Sequence, residues 1–128
     1  MRWAFEEASQ HGAELVAVTT WTLAPPPIVY PYAGFQPHLE GDIESLARSA
    51  LEDAVAPLLE SGPDVPVQII AVEGHPAQVL AQTSQDADLL VVGARGRGAA
   101  GWLLGSVSRE VAQRAKCSVA VVRCAETH

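Results

Sequence analysis

The sequence predicts an α/β protein in three layers, with a doubly wound parallel sheet covered on both faces. Three observations carry this. Apolar runs rich in β-branched residues alternate along the chain with stretches of helical periodicity. That alternation implies crossover connections, and hence parallel strands between helical layers. A glycine-rich stretch, GARGRGAAGWLLGSVS at 93–108, sits between a strand pattern and a helix pattern. In parallel sheets, that is where ligands are held, beyond the carboxyl ends of the strands.

The elements follow in order. Ala4, Phe5 and Ala8 share a helical face, Glu6 and Glu7 lie on another, and Gly12 is a natural stop. Nothing caps the start of this helix, so a strand is expected upstream of Met1. Glu14–Thr20 (ELVAVTT) reads as a mostly buried strand. Thr22–Asp42 reads as a long connection with five prolines and Tyr30, Tyr32 and Phe35. It is taken as a polyproline-like excursion, with a ligand lid or a dimer contact as alternatives.

Ile43–Glu60 has the clearest helical stripe: Ile43, Leu46, Ala47, Ala50, Leu51, Ala54, Val55, Leu58 and Leu59. All nine are expected in the core, with Pro57 bending the last turn. Ser61–Asp64 breaks the chain, and Val67–Val72 is the next strand. Gly74-His75-Pro76 makes a turn, with Pro76 opening a helix that reaches Gln85. Asp88–Val92 is a strand, Ser106 to about Ala115 a helix, and Ser118–Arg123 the last strand.

The length of 128 residues suits one domain spanning 1–128. With 48% apolar and 5% aromatic residues, the core is aliphatic. No apolar run approaches the ~20 residues of a membrane span. The first residues carry Glu6 and Glu7 where a signal peptide is apolar, so a cytoplasmic location is expected. Cys117 and Cys124 flank one strand, about 23 Å apart at ~3.3 Å per residue. That exceeds disulfide reach, and both are read as reduced thiols.

The net charge of −7 argues against nonspecific nucleic-acid binding. Its distribution says more. Residues 1–94 hold two basic and thirteen acidic side chains; residues 95–128 hold six basic and two acidic. The basic block begins inside the glycine loop, which favours a small anion there. Arg109, Arg114 and Lys116 read as the solvated face of the last helix.

The loop has the parts of a phosphate site. Glycines let backbone approach a ligand, and the first N–H groups of a helix, with the dipole behind them, attract an anion. Ser106 is either an N-cap or a phosphate donor. Arg95 and Arg97 add forked cationic donors. The loop is neither a Walker A sequence nor a dinucleotide fingerprint. His11, His38, His75 and His128 fall in separate elements, so no metal site is read. No nucleophile elbow or Cys-His pair is present and no catalytic residue is assigned.

Gly93-x-x-Gly96, then eight residues, then Gly105-Ser106-Val107-Ser108, resembles the phosphate loop of the universal stress protein family. Gly74-His-Pro-Ala77, Ala87-Asp-Leu-Leu-Val-Val-Gly93 and Cys117-Ser-Val-Ala-Val-Val-Arg123 resemble it too. The resemblance spans nearly the whole chain. It implies a sheet of the adenine-nucleotide α-hydrolase-like type, ordered 3-2-1-4-5, whose first and central strand is missing here. It implies ATP as ligand, possible Mg2+ included. Gly93, Arg95 and Gly96 match the first half of the loop. Gly105, Ser106, Val107 and Ser108 match the half that would cradle the β- and γ-phosphates, and Thr20 falls at the strand end beside the adenine. The last strand would lie at a sheet edge and make a homodimer. Two departures stand against the pattern: the family's gap is nine residues rather than eight, and the aspartate after its first strand has no counterpart here.

Three functions follow as expectations, in this order: an ATP-binding regulatory module with little turnover; a dimerisation module of the same fold that binds no nucleotide; and an enzyme of the wider fold, for which no catalytic residue is found.

Overall fold

The computed structural model describes residues 1–22, 39–94 and 105–123. They form helices α1 (Arg2–His11), α2 (Leu39–Ser61), α3 (Pro76–Thr83) and α4 (Ser106–Arg114). The strands are β1 (Leu15–Trp21), β2 (Val67–Glu73), β3 (Leu89–Gly93) and β4 (Ser118–Val122). Two compact units result, Met1–His75 and Pro76–His128. Each contains one two-stranded parallel sheet, β1 with β2 and β3 with β4. These are the pairs that the resemblance implies for second with third and fourth with fifth strands.

In the first unit, the register runs from Leu15 opposite Val67 to Trp21 opposite Glu73. Alternate residues of a strand share a face. Leu15, Ala17, Val67 and Ile69 pack against Phe5, Ala8, Leu51, Val55, Leu58 and Val65. Both helices of this unit therefore lie against the same face of its sheet. Phe5 is 1% exposed and Val55 is fully buried; each such side chain contributes about 1.5–3 kcal/mol by leaving water. Gly12 stops α1 in the left-handed conformation, φ 60°, and Ala13 N–H returns to the Ala8 carbonyl at 2.8 Å.

The α2 stripe is narrower than its periodicity predicts. Leu51, Val55 and Leu58 are buried, but Leu46 is 70% and Leu59 50% exposed, and Ala50 and Ala54 are exposed. At about 100° per residue, Leu46 stands some 140° around the helix from Leu51. A single sheet face covers only one side of that arc. The helix also begins earlier than expected, at Leu39, so residues 39–42 are helical rather than connection. The remainder of that connection, 23–38, with Tyr30, Tyr32, Phe35 and His38, lies outside the described residues. Helix α2 continues through Pro57 to Ser61, whose hydroxyl donates to the Pro57 carbonyl at 2.7 Å.

In the second unit, α3 and α4 pack on β3 and β4. Ala77, Leu90 and Val111 form the core, joined by Leu80, Val92, Val107, Ala115, Cys117 and Val119. Helix α3 ends two residues before the expected Gln85 and tightens into a short 3₁₀ turn, Ser84–Asp86. Two hydroxyls explain this. Thr83 Oγ1 donates to Val79 O at 2.8 Å, and Ser84 Oγ donates to Ala81 O at 2.6 Å while accepting from Lys116 N–H at 2.8 Å.

Candidate functional site

The glycine loop leaves the carboxyl end of β3, where parallel sheets place ligands. Gly93 is the last residue of β3, opposite Val122. Gly105 caps α4 in extended conformation, φ −65° and ψ 158°, with no side-chain cap bond. Gly105 N–H donates to Ala94 O at 2.8 Å, and Ala94 N–H donates to Val122 O at 2.8 Å. The two halves of the motif thus meet at their ends, Gly93–Ala94 against Gly105. Arg95 and Gly96, with Arg97, lie outside the described residues.

Helix α4 begins where the motif requires. Arg109 N–H bonds Gly105 O at 3.1 Å, so the N–H groups of Ser106, Val107 and Ser108 precede the intrahelical ladder. They point out of the helix end, and the helix dipole adds a partial positive charge there. Ser106 is exposed and Val107 half-buried. Ser108 is buried, and its hydroxyl donates to the Gly93 carbonyl. An exposed serine hydroxyl beside free-ended N–H groups fits a phosphate oxygen.

Thr20 sits near the carboxyl end of β1, half-buried and opposite Val72. It belongs to the first unit, and the loop residues belong to the second. The next residue, Trp21, was not singled out by the sequence. Among the described residues its shielded Nε1–H has no acceptor, while its carbonyl accepts Gly74 N–H at 2.9 Å. No sequence pattern signals such an orphan, because it depends on what packs around the indole. His75 is exposed in the turn before α3. Cys117 is a half-buried thiol whose Sγ–H donates to Ser118 O at 3.3 Å; Cys124 lies outside the described residues. Among the described residues, no group of His, Cys, Asp and Glu is arranged to hold a metal ion, and no helix is long and apolar enough to cross a membrane.

The fold and this loop define a class: α/β proteins of the Rossmann-like kind with a glycine loop at a strand's carboxyl end. Comparison with known proteins narrows it. The model of the universal stress protein family matches residues 1–123. The chain belongs to the universal stress protein family. Universal stress protein Rv2623 of Mycobacterium tuberculosis is 38% identical over 125 residues, 94% of this chain and 39% of the relative. A universal stress protein of Mycolicibacterium smegmatis is 41% identical over 123 residues, again 94% and 39%. The chain thus spans about two fifths of the length of the curated relatives it matches.

Solved structures agree on the fold. The hypothetical protein MJ0577 superposes with a TM-score of 0.71 at 20% identity, covering 98% of this chain and 89% of that one. UspA from Lactobacillus plantarum gives 0.69 at 21%, covering 95% and 86%. A universal stress protein in complex with cAMP gives 0.64 at 26%, covering 94% and 82%.

Proposed function

We propose that this chain is an ATP-binding regulatory module, one domain with little or no turnover, acting in the stress response in the cytoplasm. The observation that carries it is the start of α4: exposed Ser106 and the leading N–H groups of 106–108, closed against the end of β3. These groups suit the β- and γ-phosphates. Gly93, Arg95, Gly96, Gly105, Ser106, Val107 and, through its N–H, Ser108 are assigned to the phosphates, and Arg95 brings a charge-assisted donor. Thr20 is assigned separately, to the adenine. Mg2+ would accompany the phosphates as counter-charge. A family member bound to cAMP supports an adenine nucleotide as the ligand class. Charge supports it as well, since the basic block begins at the loop.

Thermal unfolding tests this. Millimolar ATP raises the Tm of the wild-type chain, adenosine raises it less, and Ser106→Ala loses most of the ATP increment. An ATP increment absent from the wild type would contradict the proposal.

The eight-residue gap favours a second reading, a dimerisation module that binds no nucleotide. Strand β4 offers the surface: Val121 is 38% exposed on an apolar strand that pairs on one side with β3. We propose a two-fold homodimer through this strand under either reading. Sedimentation should show a concentration-dependent dimer, and a monomer at all concentrations would remove it.

A further inference from the structure

The residues on either side of segment 95–104 are tied together inside the second unit. Gly105 N–H holds Ala94 O, Ser108 Oγ–H holds Gly93 O, and Ala94 N–H anchors the strand side to β4 through Val122 O. Ala94 and Ser108 are each 4% exposed, while Gly105 is half-buried and Gly93 exposed, so these bonds are partly buried. A serine within a helix ordinarily turns its hydroxyl to solvent or to its own helix. This one reaches a carbonyl fifteen positions earlier in the chain.

We infer that Ser108 is a positioning residue: its hydroxyl clasps the neck and presets the N–H groups of Ser106 and Val107 for a phosphate. Ser106 then offers the hydroxyl that faces the ligand. The sequence motif offers both serines to the phosphates, and their burial separates them. Holding both ends of the segment before the ligand arrives removes part of the ordering cost of binding. The effect on affinity rests on the nucleotide reading above, and the clasp itself does not.

The test compares Ser108→Thr with Ser108→Val. The two side chains have nearly the same shape and differ in the hydroxyl, so any packing strain is shared. Native-state trypsin cleavage after Arg95 and Arg97 reads the clasp without nucleotide. A hydrogen bond of ordinary net strength predicts cleavage roughly fivefold faster in the Val variant than in the Thr variant. Cleavage after Arg48 stays equal. ATP affinity falls by a similar factor in the same pair, and Thr restores it.

Equal loop cleavage in both variants would overturn the inference, as would an acceleration that Arg48 shares, because the loss would then be global. If Ser108→Val abolished ATP binding with no faster cleavage while Ser106→Ala kept it, Ser108 would be the direct ligand. Failure of the wild type to bind ATP would remove the nucleotide reading, while the cleavage ratio would still decide the clasp.

Discussion

At the residue scale, close approach decides which positions tolerate change. A Cβ on Gly62 would stand 2.6 Å from both the Leu58 carbonyl and the Phe5 ring. The ring is 1% exposed and has nowhere to go. Gly62→Ala should therefore destabilise the chain by about 1–3 kcal/mol, the cost of overpacking, measured by urea unfolding. Phe5→Ala should cost about 3–5 kcal/mol in the same assay, from lost burial plus a cavity. Trp21 is a milder case. Its shielded Nε1–H has no acceptor among the described residues, so Trp21→Phe breaks no hydrogen bond there and loses only part of a half-buried ring. Trp21→Phe should cost less than Phe5→Ala in the same assay, and an equal loss would mean that the indole has a partner. Sequence reading reached Gly12, whose positive φ is the ordinary signature of a helix stop. It did not reach Gly62, whose constraint comes from a ring fifty-seven positions away.

At the element scale, local pattern placed every described helix and strand to within a few residues of its ends. Parallel buried strands announce themselves as short β-branched runs, and VQIIAV and LLVV are such runs. What the pattern missed is set by tertiary neighbours. The width of the α2 stripe depends on how much sheet lies beneath it, so Leu46 reads as core and stands 70% exposed. The early end of α3 depends on Ser84 meeting Lys116 N–H, thirty-two positions on. Pro57 is exposed inside α2 and supplies no N–H to the carbonyl four residues before it. Pro57→Ala should restore that bond and stabilise the chain by about 1–3 kcal/mol, read as a higher urea midpoint with unchanged m-value.

At the scale of the whole molecule, family membership and the α/β fold were legible because the glycine motif and its flanks lie in order along the chain. The meeting of Gly93–Ala94 with Gly105 was not, because it rests on backbone bonds that no residue pattern announces. Nor was the distinct burial of Ser106 and Ser108, because two serines in one helical turn look alike until a core forms around one of them. The central claim is that this loop, at the carboxyl end of β3, binds an adenine nucleotide. Calorimetric titration of Mg-ATP into the folded 128-residue chain tests it most directly. The account predicts one saturable site of micromolar affinity, weakened by Ser106→Ala. A folded chain that gives no heat of binding with Mg-ATP would contradict it and leave the dimerisation reading in its place.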